Sequence, residues 1–475
     1  MTGSGIRFGT DGWRAVIAED YTFDNVRRVS QAVALYLQKN GTGGGPLIVG
    51  FDTRFGSEAF AQACASVLAA NGVKVVLTSD TAPTPAVSLA VIEQKLVGGI
   101  VITASHNPGN WNGFKYKPDY GGSASPEVIT AIEAELAAIP DAGVHKMPFD
   151  NAVQQGLIET LDVGPAYRQK LASMVDLPSL TSRHGTVVYD AMFGAGAGHL
   201  TALLAGGALQ VVGINQERNP LFPGIHAPEP ITPNLASLCA AVPKSGALLG
   251  IATDGDADRV GIVDENGRFV NQLQVYALLA LYLLEVRGIR GPLVKTLSQS
   301  YMVDKLGELY GVPVHETAVG FKYVGPKMTE TDAILGGEES GGFGFKGHIP
   351  ERDGTLAGLY VLDLAAQFGR PLSKVIEYLQ DKVGTYYYNR LDLTFDGGLR
   401  SEIEQRLRAN PPDSLLGKKL ARFQTDDGYK YVLEDGTWLL LRFSGTEPVM
   451  RVYTETDAEE NVQPMLSLGR ELAGV

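Results

Sequence analysis

The sequence lacks several features that mark whole classes of protein. Its 475 residues include only two cysteines, Cys64 and Cys239, far apart and each in an apolar stretch. A disulfide framework or a cysteine metal site is therefore not expected. The longest apolar run, ALLALYLLEV at 277–286, is too short to span a bilayer. The first residues, MTGSGIRFGTDGWR, contain no apolar signal-peptide segment. We therefore expect a cytoplasmic protein with no membrane partner.

Basic residues are also few. Lysine and arginine together number 40, aspartate and glutamate 53, and the net charge is -13. This balance argues against nucleic acid as a partner. An acidic protein can still bind an anion locally, so a small phosphorylated substrate remains compatible. The content of 44% hydrophobic and 20% charged residues is that of an ordinary globular chain.

One local pattern recurs along most of the chain. A short apolar, β-branched run ends in a small polar loop, and a helix-like segment follows, as in PLIVGFDTRFGS before EAFAQACASVLAANG and GTVVYDAMFGAGAG before HLTALLAGG. This alternation predicts α/β domains with largely buried sheets, in which ligands gather at the carboxyl ends of strands. Identity between the units is too low to establish a repeat.

The character of the sequence changes after Gly384. A strand-like YYYNRLDLTF is followed by a helical SEIEQRLRAN and a hairpin-like KYVLEDGTWLLLRFSG, which predicts a smaller α+β domain with an antiparallel sheet. We predict domains with the limits 1–160, 161–265, 266–384 and 385–475.

A serine stands beside a histidine in the loop TASHNPGNWNGFK, residues 103–115. Adjacent residues of an extended chain point to opposite faces. On that argument His106 is poorly placed to act as a base for Ser105. The sequence leaves open what would activate the serine.

Three aspartates alternate in TDGDADRVGIVDENG, residues 253–267. In an extended chain Asp254, Asp256 and Asp258 would share one side, and a divalent cation would relieve their repulsion. Mg²⁺ prefers such oxygen ligands. A calcium EF-hand loop is a rival interpretation, but Arg259 stands where that loop requires glycine, and the flanks predict strands instead of helices.

Two further loops suggest ligand contacts. In LGGEESGGFGFKGHIPERDG, residues 335–354, carboxylates beside a hydroxyl suit a neutral polyol, and glycine permits its close approach. In LLLRFSGTEPVMRVYTE, residues 439–455, arginines, hydroxyls and backbone N–H groups form a generic phosphate cradle. A flexible surface loop and a turn with solvated arginines are the respective alternatives. Together the loops suggest that Ser105 is phosphorylated at rest and neutralised by the aspartates with Mg²⁺.

The motifs TASHNPGNWNGFK, DGDADR, GEESGG and RFSGTEP, in this order, resemble the four signature loops of the α-D-phosphohexomutase superfamily, especially its bacterial phosphoglucomutase/phosphomannomutase members. FGTDGWR at the N-terminus fits as well. The resemblance implies three similar α/β domains with mixed sheets and a C-terminal α+β domain around a central cleft. It implies hexose phosphates as partners, Mg²⁺ as cofactor and glucose 1,6-bisphosphate as activator. The oligomeric state stays open.

The resemblance also implies a reaction and a role for individual residues. A phosphoserine gives its phosphate to a hexose 1-phosphate, and the 1,6-bisphosphate reorients and rephosphorylates the serine. The implied catalytic residues are Ser105, Lys115, Arg14, Arg259 and His106; the metal ligands are Ser105, Asp254, Asp256 and Asp258; the sugar contacts are Glu338, Ser340, Gly320 and Lys295; and the phosphate contacts are Arg442, Ser444, Gly445, Thr446 and Arg451.

Some of the chemistry stays undecided. Several mutases have a histidine where this chain has Gly342, so His348 and Arg352 become candidates for the general acid/base. By resemblance to loops of the family, GEESGG favours glucose 1-phosphate, and also mannose 1-phosphate, over a glucosamine phosphate. The alternatives are a hexose 1,6-bisphosphate synthase, a metal-dependent phosphatase and a catalytically silent sugar-phosphate sensor.

Overall fold

The computed structural model describes residues 5–42, 44–140, 143–409, 411–444 and 449–474. Four sheets follow one another along these residues. None of the helices in the described ranges is long and apolar enough to cross a membrane.

The first sheet has six strands in the order β1-β5-β4-β2-β3-β6. Its elements are β1 (Trp13–Val16), α1 (Phe23–Lys39), β2 (Leu47–Phe51), α2 (Ser57–Ala70), β3 (Val75–Thr78), α3 (Thr84–Glu93), β4 (Gly98–Ile102), β5 (Trp111–Pro118), α4 (Pro126–Ala138), α5 (Phe149–Gln154) and β6 (Ile158–Leu161). Helix α1 shows why helices form here: Thr22 caps it, and Val26, Val29, Val33 and Leu37 give it one buried stripe.

The second sheet has five strands in the order β11-β10-β9-β7-β8. Its elements are α6 (Gly164–Met174), α7 (Leu177–Ser182), β7 (Gly185–Asp190), α8 (His199–Leu203), β8 (Leu209–Ile214), α9 (Ala236–Lys244), β9 (Leu249–Thr253), β10 (Val260–Asp264) and β11 (Phe269–Val270). Because β11 pairs with β10, this sheet extends past residue 265.

The third sheet has four strands in the order β13-β12-β14-β15. Its elements are α10 (Gln272–Leu281), which continues as a π-helical turn (Tyr282–Val286), β12 (Leu293–Thr296), α11 (Met302–Tyr310), β13 (Val314–Thr317), α12 (Phe321–Thr331), β14 (Leu335–Gly337), β15 (Phe343–Phe345), α13 (Gly354–Phe368) and α14 (Leu372–Val383). Helices α10 and α13 are buried over nearly their whole length, and the largest apolar core joins them to the second sheet.

The first three sheets share one strand arrangement. Each contains the order second, first, third, fourth: β3-β2-β4-β5, β8-β7-β9-β10 and β13-β12-β14-β15. In each, the first three strands are parallel and the fourth is antiparallel. This confirms the prediction of three similar domains with mixed sheets. The connection from the third strand to the fourth carries Ser105 in the first sheet, the aspartate loop in the second and Glu338–Ser340 in the third.

The C-terminal part forms an antiparallel sheet in the order β16-β21-β20-β19-β18-β17. Its elements are β16 (Tyr387–Thr394), a short turn of helix (Gly397–Leu399), α15 (Arg400–Ala409), β17 (Ser414–Leu415), β18 (Lys418–Gln424), β19 (Tyr429–Leu433), β20 (Trp438–Phe443), β21 (Val449–Thr456), another short turn (Glu459–Asn461) and α16 (Val462–Ala473). The two helices bury their apolar sides on one face of the sheet, as predicted for an α+β domain.

Candidate active site

Ser105 lies in a tight loop directly after strand β4. Its backbone is left-handed, with φ of 51°, and its N–H donates to Thr103 Oγ1 over 2.9 Å. The side chain is nearly inaccessible, with a relative exposure of 1%. Ser105 Oγ donates a 2.7 Å hydrogen bond to Asp254 Oδ2. The serine of the first sheet therefore meets the aspartate loop of the second.

The extended-chain argument against His106 is wrong, because the loop is not extended. His106 Nδ1 lies 3.4 Å from Ser105 Oγ and 3.5 Å from Arg14 Nη1. Burial lowers the pKa of His106 well below its ordinary value, and the nearby cations, Arg259 first among them, lower it further. A neutral imidazole therefore stands beside the serine.

Arg54, which we did not single out from the sequence, holds the serine loop in place. The side chain is fully buried. Its guanidinium donates to the backbone oxygens of Pro108 (2.7 Å), Trp111 (3.1 Å), Ser105 (2.6 Å) and Asn107 (2.6 Å). Its Nε lies 3.1 Å from Asp52 Oδ2. The planar fork of arginine suits several acceptors at once, so Arg54 fixes the loop through its backbone. The sequence feature that could have pointed to Arg54 is the motif DTR, which directly follows strand β2.

The three aspartates are together, although not for the reason predicted. Residues 254–259 form a turn instead of an extended strand, and Ala257 has φ of 58°. One carboxylate oxygen from each of Asp254, Asp256 and Asp258 lies within 4.8 Å of the others, and all three side chains are buried. Gly255 permits the close approach of the two loops, since a Cβ there would lie 2.3 Å from Ser105 O.

The aspartate loop fits a divalent cation. Among the residues that the structure describes, Oδ1 of Asp256 and Oδ1 of Asp258 are buried without a hydrogen-bonding partner. Burial, together with the neighbouring Asp256 and Asp258 carboxylates, raises the pKa of Asp254 well above its ordinary value. Buried carboxylates with unused oxygens are the donor set that Mg²⁺ binds.

Lys115, on strand β5, faces the same carboxylates. Its Nζ lies 2.7 Å from Asp256 Oδ2, 2.9 Å from Asp258 Oδ2 and 2.8 Å from Asp11 Oδ2. Burial alone would lower the pKa of Lys115, but the three carboxylates raise it above its ordinary value. Lys115 therefore keeps its proton and is poorly suited to act as a base. Asp11 is another residue that the sequence did not point to.

Arginines surround the serine loop and the aspartate loop. Arg14 Nη1 donates to Asn107 Oδ1 over 2.9 Å. Among the described residues, the acidic neighbours of Arg259 are distant: Glu229 at 3.6 Å and Asp258 at 4.0 Å. Its buried Nε has no hydrogen-bonding partner in the described part of the chain. Arg259 therefore has N–H groups left for an anionic ligand.

The predicted sugar loop lies beside these residues. Glu338 is 6% exposed, and burial raises the pKa of its carboxyl group, although Arg352 opposes the shift. Ser340 Oγ is buried and has no partner within the described ranges. Gly320 has φ of 129°, and a Cβ there would lie 2.8 Å from Thr10 Cγ2. The structure therefore places Gly320 against the N-terminal segment, where a larger residue would not fit.

Arg352 joins three domains. Its Nη2 lies 2.7 Å from Asp258 Oδ2 and 2.5 Å from Asp11 Oδ2, and its Nη1 donates to Glu338 Oε2 over 3.3 Å. Burial alone would lower the pKa of Arg352, but the carboxylates, led by Asp258, raise it well above its ordinary value. Such a guanidinium keeps its proton, so we assign Arg352 a positioning role instead of the predicted acid–base one.

His348 and Lys295 each pair with an acidic residue of the third domain. His348 Nε2 lies 2.8 Å from Asp353 Oδ2, and Asp353 Oδ1 also accepts from Tyr167. Lys295 Nζ pairs with Asp304 and donates to Ser300 O over 3.1 Å. An acid–base role for His348 and a substrate contact for Lys295 stay predictions.

The predicted phosphate cradle lies on two paired strands. Arg442 on β20 and Arg451 on β21 are directly opposite each other, so both side chains lie on the same face of the sheet. Arg442 Nε donates to Asp427 Oδ2 over 3.0 Å. Arg451 Nε is buried without a hydrogen-bonding partner among the described residues, and Asp392 Oδ2 is 3.8 Å away. Ser444 N donates to Val449 O. Gly445 and Thr446 lie outside the described residues.

The C-terminal domain contacts the sugar loop directly. Tyr388 OH donates to Glu339 Oε1 over 2.5 Å, and Arg390 lies 3.5 Å from the same oxygen. Next to Gly320, Val319 N donates to Asp427 Oδ2 over 2.8 Å. The same Asp427 oxygen accepts from Arg442, so one carboxylate links the phosphate cradle to the third domain.

The chain is similar to known proteins over its whole length. It matches four families described as phosphoglucomutase/phosphomannomutase: α/β/α domain I over residues 5–142, domain II over 165–267, domain III over 271–383 and the C-terminal domain over 401–465. A phosphoglucomutase/phosphomannomutase of Thermococcus kodakarensis is 32% identical, with 98% of each chain covered. A probable phosphoglucosamine mutase of Methanopyrus kandleri is 32% identical, covering 96% of this chain and 95% of its own.

Solved structures show the same arrangement. A candidate phosphomannomutase from Thermus thermophilus is 37% identical, with a TM-score of 0.86 and 99% of each chain covered. A phosphoglucomutase/phosphomannomutase family protein from Burkholderia thailandensis is 24% identical, with a TM-score of 0.83 over 99% of this chain and 97% of its own. At that identity the second likeness supports the fold alone.

Proposed function

Because the chain belongs to the phosphoglucomutase/phosphomannomutase family of the α-D-phosphohexomutases and is a phosphohexomutase, we propose that it interconverts hexose 1-phosphates and 6-phosphates through a phosphoserine at Ser105. Glucose 1-phosphate is the proposed substrate, and mannose 1-phosphate a second one. The observation that carries the proposal is the 2.7 Å contact between Ser105 Oγ and Asp254 Oδ2. It places a hydroxyl next to a buried cluster of carboxylates with unused oxygens.

Asp254, Asp256 and Asp258, together with Ser105 Oγ, would hold the proposed Mg²⁺. A bound Mg²⁺ withdraws negative charge from phosphoryl oxygens. The protein contributes the fixed positions of the donors, because the serine loop is held by Arg54. Such preorganised electrostatics are the main contribution of proteins to phosphoryl transfer.

In the proposed transfer, a hydroxyl oxygen of the bound sugar attacks the phosphorus and loses its proton, while the bond to Ser105 Oγ breaks and this oxygen takes up a proton. His106 is neutral and lies 3.4 Å from Ser105 Oγ, so we assign it, ahead of the protonated Lys115, the transfer of a proton to and from the serine oxygen. Lys115 stays charged among its carboxylates and stabilises the negative charge that moves between the oxygens.

Two groups of arginines would hold the two ends of the substrate. Arg259 borders the aspartate loop, and Arg451 lies on the C-terminal sheet; the Nε of each is buried and has no hydrogen-bonding partner among the described residues. Glu338 and Ser340, on the loop of the third domain, would bind the sugar hydroxyls. A 1,6-bisphosphate intermediate offers phosphate at both ends, so it can reorient between the same contacts. Glucose 1,6-bisphosphate would accordingly act as activator.

The reaction is tested by phosphorus NMR on the purified protein with Mg²⁺, a trace of glucose 1,6-bisphosphate and a mixture of glucose, mannose and glucosamine 1-phosphates. Because relatives are named for several of these sugars, one tube ranks the substrates. We expect glucose 6-phosphate first. Absence of any 6-phosphate contradicts the mutase. In that case free phosphate would indicate a phosphatase, and accumulating bisphosphate from an added donor would indicate a synthase.

The role of Ser105 is tested by replacement. Ser105→Ala should abolish turnover and leave the binding of glucose 1-phosphate nearly unchanged. Ser66→Ala, on helix α2, removes a hydroxyl that donates to Gln62 O of the same helix and serves as the control. Full turnover by Ser105→Ala would contradict the phosphoserine mechanism. A sugar-phosphate sensor would bind the ligand without turnover in every variant, including the wild type.

A further inference from the structure

The backbone of Thr84 joins the first domain to the aspartate loop of the second. Thr84 is the first residue of helix α3 and stands between two prolines, Pro83 and Pro85. Proline has a nearly fixed φ, so the chain is restricted on both sides of Thr84. The N–H groups of a first helical turn have no partner within the helix, and the N–H of Thr84 donates to Asp256 O over 2.9 Å. The main chain of the aspartate loop is therefore attached to a restricted segment of the first domain.

The side chain of Thr84 contacts the same aspartate. Thr84 is inaccessible to solvent, and its Oγ1 donates to Asp256 Oδ2 over 2.5 Å. Lys115 Nζ lies 2.7 Å from that oxygen, but it also contacts Asp11 and Asp258. The ammonium of Lys115 is thus shared among three carboxylates, whereas the hydroxyl of Thr84 donates to Asp256. Thr84 is therefore the donor that restricts the orientation of this one carboxylate.

These contacts use one oxygen of Asp256 and leave the other. Asp256 Oδ1 is buried and has no hydrogen-bonding partner in the described part of the chain. Asp258 shows the same division: its Oδ2 faces Lys115 and Arg352, and its Oδ1 is buried without a partner among the described residues. In both aspartates, donors of the protein occupy one oxygen, and the second oxygen remains for a cation.

We propose that Thr84 is a positioning residue of the Mg²⁺ site, whose hydroxyl holds Asp256 so that Oδ1 stays available to the cation. The inference rests on the proposed function, which requires the Mg²⁺. Carboxylates that bind a metal are themselves held by hydrogen bonds, and loss of such a partner weakens metal binding about 10- to 100-fold. Without the hydroxyl the carboxylate of Asp256 gains rotational freedom, and the binding of Mg²⁺ must then also order it.

The test is calorimetric titration of the full-length protein, freed of metal by chelation, with Mg²⁺. Thr84→Val keeps the shape of the side chain and removes the hydroxyl, so the affinity for Mg²⁺ should fall about tenfold. Thr78→Val is the matched control. Thr78 Oγ1 is buried in the same domain and has no hydrogen-bonding partner within the described ranges, so this variant should bind Mg²⁺ as the wild type does. Equal affinity in both variants and the wild type would overturn the inference.

A second pair of variants differs by the hydroxyl alone. Thr84→Ser keeps the donor and should bind Mg²⁺ nearly as the wild type does, whereas Thr84→Ala should bind it as weakly as Thr84→Val. This comparison does not depend on whether valine is accommodated at the buried position. If the serine and alanine variants bound Mg²⁺ equally well, the hydroxyl would have no role in holding Asp256.

Turnover of glucose 1-phosphate at limiting and saturating Mg²⁺ separates positioning from general damage. Thr84→Val should need about tenfold more Mg²⁺ for its half-maximal rate, and excess Mg²⁺ should restore most of the rate. A loss of rate with unchanged affinity for Mg²⁺ would mean that Thr84 acts on the fold and not on the metal site. A wild type that neither binds nor requires Mg²⁺ would refute the proposed metal site itself, whereas wild-type affinity in Thr84→Val refutes the role of Thr84 alone.

Discussion

Ser105 and Asp254 are separated by 149 positions in the chain and joined by a 2.7 Å hydrogen bond. Each follows the third strand of the four-strand arrangement that the first three sheets share, in the same topological position. The sugar loop with Glu338 occupies this position in the third sheet. Three copies of the same loop, between the third and fourth strands of the shared arrangement, therefore supply the serine, the carboxylates and the proposed sugar contacts. The site is built where three repeated units face each other.

Chelation of divalent metal should abolish turnover, and Mg²⁺ should restore it. Mg²⁺ should also raise the thermal midpoint of the wild type, because a ligand present at 100 times its dissociation constant stabilises the folded state by about 2.7 kcal/mol. Asp256→Asn should reduce this gain, since it weakens one of the proposed ligands. Asp264→Asn changes a buried carboxylate outside the cluster and serves as the control. An equal rise of the thermal midpoint with Mg²⁺ in both variants would contradict the assignment of the metal site.

Arg54→Lys should lower kcat strongly and KM little. A lysine ammonium has three donors and cannot replace the four carbonyl contacts and the Asp52 pair of Arg54. A buried acceptor left unpaired costs about 1–3 kcal/mol, so the thermal midpoint should fall too. Arg28→Lys, whose guanidinium donates to a single carbonyl of the described ranges, Ile139 O, should behave as the wild type. A wild-type kcat in Arg54→Lys would show that catalysis does not depend on these contacts between Arg54 and the serine loop.

Arg451→Met should weaken recognition of the substrate phosphate. A hydrogen bond to a charged group contributes about 1.5–3 kcal/mol, so kcat/KM should fall by about 10- to 100-fold. Lys419→Met removes an exposed cation of the same domain, 75% accessible, and should have no effect. Steady-state kinetics with glucose 1-phosphate measures both variants. If kcat/KM fell equally in the two, the effect would be one of net charge instead of a specific contact.

His199 should make the protein less stable as the pH falls. Its pKa is lowered to about 4 in the folded state by burial and Arg168, whereas an unfolded histidine has a pKa of about 6.5. Between these values the unfolded chain binds more protons, so stability is lost as the pH falls from about 6.5 towards 4. The full loss is about 3 kcal/mol.

The measurement compares thermal midpoints at neutral and mildly acidic pH. The wild type should lose more stability than His199→Phe, which has no imidazole to protonate. His145→Phe replaces an exposed histidine and should follow the wild type. An equal acid-induced loss in all three proteins would show that His199 takes up its proton without cost to the fold.

Much of the fold was predictable because each helix and strand follows from the pattern of apolar residues in a short, continuous segment. The alternation of apolar runs and helical segments predicted the α/β domains, and the hairpin-like KYVLEDGTWLLLRFSG became the antiparallel pair of β19 and β20. The two local arguments from extended chain were wrong. Both the serine loop and the aspartate loop contain left-handed residues, Ser105 and Ala257, and a turn places neighbouring side chains differently from a strand.

The residues that hold the site together were not predictable in the same way. Arg54 was passed over because its four acceptors are backbone oxygens that lie more than 50 residues further along the chain. Asp11 gained significance through Lys115, Lys117 and Arg352, the last of them 341 residues away. Such pairings form because folding buries several charged groups together, and a buried charge is costly unless an opposite charge lies beside it.

The sequence by itself determined the family, the order of its four signature loops and the residue types available for chemistry. Each signature loop is a continuous stretch of the chain, so it can be recognised without the fold. Only the tertiary structure decided which carboxylates share Lys115, that His106 is neutral and beside the serine, and that the Nε atoms of Arg259 and Arg451 have no hydrogen-bonding partner in the described part of the chain. Those properties depend on burial and on distances between domains, and packing alone sets both.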